Sequence, residues 1–268
     1  MDYNAFNGPK LTPEQMTAYL ERIGLSEPVS LDLEGLTKVQ KAHQQSVPFD
    51  NLDIMAGRPL SLAHEDLFYK IVTRRQGGVC SEINTIYNWL LYSLGFDVTS
   101  YNSRIAYPDP VQFRRHRLMG VKLDGKTYIT DAGSNLEFAR TPLLLEADII
   151  QSDGVAEYRL LWDEHFGWLY QQRRPGEADF HDFHLFNEDP QIDLDFMAPL
   201  FYFEAHPDSN MKTFPRASIY TEDQFIAIRN HSFLVERGDV RISTQPIEDF
   251  EEEKRMLREI FHLDTTGL

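Results

Sequence analysis

A single cysteine stands at position 80 of 268 residues, within Arg74-Arg75-Gln76-Gly77-Gly78-Val79-Cys80-Ser81-Glu82-Ile83-Asn84. Ile83, Ile86, Tyr87, Leu90, Leu91 and Leu94 then recur at helical spacing, and Gly95 stands where a C-terminal cap belongs. This spacing predicts a buried helix with Cys80 in its first turn. Unpaired N–H groups and the helix dipole favour negative charge there, which draws a thiol toward thiolate. A lone cysteine is more often an inert buried hydrophobe. The flanking residues argue otherwise: Gly77-Gly78 permits close backbone approach or positive φ, and Glu82 and Asn84 bring polar groups to the helix start. A nucleophile also needs a base, and the base an orienting partner.

The chain supplies both. Arg117 to Leu123 and Lys126 to Thr130 have strand character, and Asp124-Gly125 between them is a strong hairpin signal. His116 stands at the entry and Asp131 at the exit, so antiparallel pairing places them side by side at the open end. Alone, His116 is one of nine histidines and Asp131 a turn residue before Ala132-Gly133. Together with a cysteine at a helix start they form a candidate Cys–His–Asp set.

Several elements must position this set. Thr12-Pro13-Glu14-Gln15 reads as a capped helix start, with Met16, Tyr19, Leu20 and Ile23 as the apolar face and Gly24 as the stop. A second helix begins near Asp32 and ends before Pro48, and a third covers about Ala63 to Thr73. Val47 to Asp53 is a loop carrying Phe49, whose plainer reading is core packing. From Asp97 to Ala106 the texture turns to strand, and Pro108-Asp109-Pro110 breaks it. Tyr158 to Trp162 and Trp168 to Gln172 are further strands, which close a small barrel or sandwich with the hairpin. Ser218-Ile219-Tyr220 and Gln224 to Arg229 form another hairpin. Glu248 to His262 is an amphipathic helix with Phe250, Met256, Ile260 and Phe261 as apolar members, and Glu251-Glu252-Glu253 as a solvated face.

Composition narrows the function classes. One cysteine excludes an internal disulfide and a Cys-rich metal site, and His181 and His184 lack a third ligand at a recognisable spacing. No metal is therefore expected. Net charge of −16 argues against nucleic acid and anionic membrane as partners, although Arg114, Arg115 and Arg117 cluster and allow a local basic pocket. No signal-like N-terminus follows Met1-Asp2-Tyr3-Asn4 and no apolar run is long enough to span a membrane, so a cytoplasmic protein is expected.

The chain resembles the arylamine N-acetyltransferases over nearly its whole length. The resemblance runs through Ala18 to Gly24, Val47-Pro48-Phe49-Asp50-Asn51-Leu52, the Gly-Gly-x-Cys loop, His116, Asp131-Ala132-Gly133 and His206-Pro207-Asp208-Ser209-Asn210. It implies an α+β fold with an N-terminal helical bundle, a central antiparallel β-barrel and a C-terminal α/β lid. Its catalytic core would be like that of cysteine proteases and transglutaminases. The expected divisions are 1–96, 97–190 and 191–268. By resemblance Cys80 is the nucleophile, His116 the base and Asp131 the orienting carboxylate. Acetyl-CoA is the co-substrate, and a small aromatic amine or hydrazine takes the acetyl group. The resemblance further implies that Phe49 and Ser134 line the amine pocket, and that Gly133, Asn135 and Ser209 lie toward CoA.

Five positions depart from the family pattern. Gln76 replaces an arginine and Asp50 a glutamate, a pair of ions beside the site in relatives; Asp50 is then held by hydrogen bonds alone or by Arg75. Ser134-Asn135 replaces Phe-Gly, which makes the pocket more polar. Arg115 stands where a small or hydroxyl residue is usual. Three other readings stay open: an amide synthase of the same family taking a longer or carrier-bound acyl group, a cysteine hydrolase, and a non-catalytic paralogue. The oligomeric state is not legible.

Overall fold

The computed structural model describes residues 8–106, 111–134, 138–238 and 240–268. Met1 to Asn4, the break at Pro108-Asp109-Pro110 and the candidate residue Asn135 lie outside them.

Helix α1 (Pro13–Arg22) starts as the capping signal requires: the Gln15 N–H donates to the Thr12 hydroxyl at 3.2 Å, and the Gln15 side chain accepts from Thr12 N at 3.0 Å. Helix α2 (Leu33–Ser46) is capped by Asp32, which accepts from Gly35 N at 2.8 Å. A short strand β1 (Phe49–Asp50) and a single turn α3 (Leu52–Met55) follow. The third expected helix begins at His64 as α4 (His64–Phe68) and changes to π winding over Tyr69–Thr73. Helix α5 (Cys80–Leu94) opens on the cysteine and ends at Gly95, whose φ of 106° is the left-handed cap expected there. Every residue from Cys80 to Leu91 is buried, because α1, α4 and two strands pack around it. The spacing predicted one apolar face; enclosure on all sides also buries Ser81, Glu82, Asn84, Thr85 and Asn88.

The barrel strands are β2 (Asp97–Ile105), β3 (Arg114–Leu123), β4 (Lys126–Thr130), β5 (Leu143–Leu144), β6 (Ile150–Ser152), β7 (Glu157–Asp163), β8 (Gly167–Arg173) and β9 (His181–Phe186). They pair antiparallel in the order β5-β4-β3-β2-β9-β8-β7-β6. The β3–β4 turn is Asp124-Gly125, with φ of 49° and 75°, the positive pair that a tight hairpin of matching twist demands. The outer strands β5 and β6 do not pair with each other. Gln151 bridges them instead, accepting from Leu144 N at 2.7 Å and donating to Leu144 O at 2.9 Å. Tyr101, Leu118, Ile129, Phe138, Tyr158, Tyr170 and Phe186 fill the interior. In the β2–β3 ladder Ser103 faces His116 and Arg104 faces Arg114, so Arg115 is the extra residue of a β-bulge.

Helix α6 (Met197–Ala205) leads to β10 (Ala217–Tyr220), β11 (Phe225–Arg229), β12 (Ser232–Arg237), β13 (Val240–Pro246) and α7 (Phe250–Phe261). The β10–β11 hairpin is the expected one; β12 and β13 extend it. At the other edge β1 pairs with β10, Phe49 opposite Ser218, so an early segment completes the late sheet. Two expectations for α7 are corrected. Glu253 is fully buried and accepts from His231 Nδ1 at 2.9 Å, while Phe250 is exposed. The inward row is Glu253, Leu257 and Phe261, spaced by four, which carries the third glutamate onto the packed face. Among the described residues no helix is long and apolar enough to cross a membrane.

Candidate active site

Cys80, the first residue of α5, has no helical partner for its own N–H. The loop before it is pinned from outside. Asp50 N donates to Gly78 O at 2.9 Å and Gly78 N to Pro48 O at 3.3 Å, stitching β1 to the loop. Gly77 and Gly78 serve close approach, not positive φ. A Cβ on Gly77 would lie 2.0 Å from Pro48 O, and one on Gly78 2.7 Å from a Glu82 oxygen. Glu82 caps its own helix by accepting from Val79 N at 3.1 Å.

The hairpin delivers the rest. His116 is buried in β3 and its Nε2 bonds Asp131 Oδ2, which leaves Nδ1 for the thiol. Asp131 Oδ1 accepts from Asn84 Nδ2 at 3.0 Å, Gly133 N at 2.8 Å and Ser134 N at 2.8 Å. Burial pushes the His116 imidazole down, but the Asp131 carboxylate and the contact with Cys80 outweigh it and raise the group to about 10. Burial likewise opposes the Asp131 charge, yet His116 and Asn84 bring it down to about 2. The result is an imidazolium–carboxylate pair in a dry site beside a thiol.

A cavity of about 120 Å³ opens on these groups, lined among others by Phe49, Cys80, Arg115, His116, Gly133 and Ser134. Ser134 does more than line it: its hydroxyl donates to Asp131 Oδ2 at 2.9 Å and lies 3.1 Å from His116 Nε2. Gly133 packs so tightly that a Cβ would lie 2.9 Å from Cys80 O. Ser209 does not line the cavity. It is buried with its hydroxyl donating to Phe203 O at 2.8 Å, and its neighbours Asn210 and Met211 reach the cavity instead.

Of the two arrangements expected for Asp50 the first holds: among the described residues it has no ion pair, and its carboxylate accepts from Leu52 N at 2.9 Å, while Arg75 is not its partner. The Arg75 guanidinium contacts Arg22 O, and Gln76 accepts from Asp264 N at 2.7 Å and donates to Arg74 O at 2.9 Å. Lys70, in the π-wound turn, is the cation beside Asp50, and its ammonium lies 2.6 Å from Asp53 and 2.9 Å from Glu82. Burial raises Asp50 to about 7 in spite of Lys70. The basic cluster near His116 divides. Arg117 is buried against Asp193 at 2.7 Å, Arg114 donates to Asn187 at 2.7 Å, and Arg115 alone faces the cavity.

Sequence reasoning missed the scaffold role of Asn84, although its place four residues after Cys80 puts both on one helix face. It also missed Arg216 and Arg229, which reach the cavity from the late sheet. His184 packs on His116, ring centroids 4.9 Å apart; burial, then the His116 charge, lowers it to about 3, so it stays neutral there. Among the described residues no group of three or more His, Cys, Asp or Glu side chains could hold a metal ion.

A family model described as N-acetyltransferase matches residues 32–267. The arylamine N-acetyltransferase of Mycolicibacterium smegmatis is 31% identical over 229 residues, 82% of each chain. Human arylamine N-acetyltransferase 1 is 29% identical over 92% of this chain and 93% of its own. The Salmonella typhimurium arylamine N-acetyltransferase superposes with a TM-score of 0.88 at 25% identity, covering 94% of this chain and 92% of that one. The Mycobacterium marinum enzyme, solved in complex with CoA, superposes at 0.85 with 25% identity over 92% of both chains. With an α+β fold, a cysteine and a histidine facing one cavity, and an aspartate bonded behind that histidine, the chain belongs to the arylamine N-acetyltransferase family.

Proposed function

We propose that the protein transfers an acetyl group from acetyl-CoA to a small aromatic amine or hydrazine in two steps through acetyl-Cys80. The observation that carries this is Cys80 and His116 on one small cavity, with Asp131 bonded behind His116, in a chain of this family. Cys80 attacks as thiolate, with the His116 imidazolium as counter-ion. A bond forms between Sγ and the acetyl carbonyl carbon, and the bond to the CoA sulfur breaks. The thioester formed is nearly isoenergetic with the one consumed, so the step reverses easily. The amine nitrogen then attacks the acetyl carbon. His116, its proton having left with CoA, takes one from the nitrogen, and the amide forms as Cys80 departs. The free N–H of Cys80 faces the oxyanion in both steps. Asp131 holds the ring and its charge throughout. Phe49 supplies an apolar wall for the acceptor. A long or carrier-bound acyl group fits poorly in about 120 Å³, which favours the acetyl donor over the amide-synthase reading.

The test is intact-protein mass after mixing with acetyl-CoA alone, then with a simple hydrazine. One acetyl group on Cys80, discharged onto the hydrazine and absent in Cys80→Ala, is expected. Acetylated amine formed at full rate by Cys80→Ala would overturn the mechanism, and acetyl lost to water as fast as to amine would make the protein a hydrolase.

A further inference from the structure

Three guanidinium groups line the cavity that holds Cys80, and among the described residues no carboxylate lines it. Among the described residues none of Arg115, Arg216 and Arg229 has a salt-bridge partner, whereas Arg58, Arg74, Arg117, Arg173 and Arg241 all do. Arg115 is 7% exposed, and its Nε is buried without a hydrogen-bond partner. The guanidinium has ring neighbours instead, Phe203 at 5.5 Å and Phe113 at 5.9 Å. Strand alternation would send Arg115 and His116 to opposite faces; the bulge turns both into one cavity. Arg216 also has a buried Nε without a partner. Extending the Ala217–Ile228 pairing by one residue sets Arg216 directly across from Arg229. Like charges so placed repel, and Arg216 is held below its ordinary range by burial and then by Arg229 and Arg115.

Among the described residues no carboxylate of this strongly acidic chain pairs with the three converging cations. Leaving buried charge uncompensated is costly, and an anion in the cavity removes the cost. The phosphates of CoA do not answer to this position. The long pantetheine arm separates them from the sulfur, and a cavity on the scale of one aromatic ring cannot hold both ends. The anion therefore sits near the reacting atom, and the planar fork of arginine matches a carboxylate. Building on the acyl-transfer reading above, we infer that this pocket selects a reactant carrying a carboxylate a few bonds from the reacting atom. That carboxylate belongs either to the acceptor, as in an aminobenzoate, or to the far end of a short dicarboxylic acyl thioester.

The experiment has two kinetic arms, each run on the wild-type protein and on Arg115→Gln. The first compares 4-aminobenzoate with 4-aminobenzamide, using acetyl-CoA. The second compares malonyl-CoA with acetyl-CoA, using 4-toluidine. A preference of about tenfold or more in kcat/KM for the charged member is expected in one arm, falling to about threefold or less in Arg115→Gln. The arm that shows it names the source of the carboxylate. Equal use of charged and neutral members in both arms overturns the inference and leaves acyl transfer standing. A binding readout separates the two readings further: 4-aminobenzoate or malonate should slow alkylation of Cys80 where 4-aminobenzamide does not. Protection by the anion without transfer to any amine would sink the acyl-transfer reading alone; no protection by either anion sinks this one. Arg229→Gln serves as the second variant if Arg115→Gln unfolds.

Discussion

Asn84 stands one helical turn past Cys80 and donates its side-chain amide to Asp131 at 3.0 Å. The same amide donates to Arg117 O at 2.7 Å, and its oxygen accepts from Ala132 N at 3.0 Å and Gly133 N at 2.9 Å. One buried side chain therefore ties the helix of Cys80 to the strand of His116 and the turn of Asp131.

Replacing Asn84 should harm folding and chemistry together. Asn84→Ala leaves buried donors and acceptors unmatched and should cost about 2–4 kcal/mol. Asn84→Asp keeps the shape but sets a second carboxylate against Asp131, and should slow acylation of Cys80 by more than tenfold at neutral pH. Thermal unfolding and the acetyl-enzyme burst report the two effects separately. Wild-type bursts in both variants would remove Asn84 from the site's scaffold.

The His116–Asp131 pair makes a second prediction. Asp131→Asn removes the main influence that raises His116, so the imidazole should fall back toward its ordinary range under the burial that remains. Transfer should drop by about a hundredfold or more. The alkylation rate of Cys80 against pH should change shape in the variant, because the imidazolium beside the thiol is lost earlier as pH rises. An unchanged profile would mean that the pair does not set the state of the thiol.

Gly77 tests the stitched loop. Gly77→Ala places a methyl 2.0 Å from Pro48 O and 2.5 Å from Asp50 Oδ2, with backbone on one side and a buried carboxylate on the other. A loss of about 3 kcal/mol or more is expected, together with most of the acylation rate. Gly154→Ala is the control. At φ +87° it is strained but meets nothing within 4 Å, so about 1–2 kcal/mol and full activity are expected. Equal melting temperatures for the two variants would contradict this placement.

Stability against pH has a sign that can be worked through. Burial holds His43 and His184 at about 3, far below the unfolded value of about 6.5. Between those limits the unfolded state binds two protons that the native state refuses, so both groups lose their contribution as pH falls. Asp50, raised to about 7 from an unfolded value of about 3.9, works the other way with one proton over nearly the same window. For these three groups together the slope is about 1.4 kcal/mol per pH unit, falling toward acid. Asp131 adds to the loss only as pH drops from about 4 to 2, while the His116 contribution, complete below about 6.5, is lost as pH rises through about 10. Urea midpoints between pH 4.5 and 6.5 should therefore be nearly flat in His184→Phe and about twice as steep in Asp50→Asn. Parallel curves for the three proteins would refute the assignment.

The elements that place Cys80, His116 and Asp131 were legible because each depends on local rules. The apolar spacing after Cys80, Gly95 as its stop, and Asp124-Gly125 between two alternating runs are signals contained in fewer than 20 residues. What escaped comes from residues far apart in the chain. Lys70 reaches the Asp50 region through a π-wound turn, Arg216 and Arg229 arrive from a late sheet, and Gln151 closes the barrel seam. None has a spacing that marks it. Glu253 was misplaced for a related reason: a run of three glutamates reads as one solvated block, while its spacing to Leu257 carries the third onto the packed face.

The loop before Cys80 is also fastened to the other end of the fold, where Gln76 accepts from Asp264 N and Arg74 pairs with Asp264 at 2.5 Å. A ribosome delivers residue 80 long before residue 264, and β1, which backs the loop, waits for β10 as well. During synthesis the thiol thus exists for a time without its finished surroundings. A shortened chain lacking residues 264–268 would keep Cys80, His116 and Asp131 but lose one fastening of the loop that leads into Cys80.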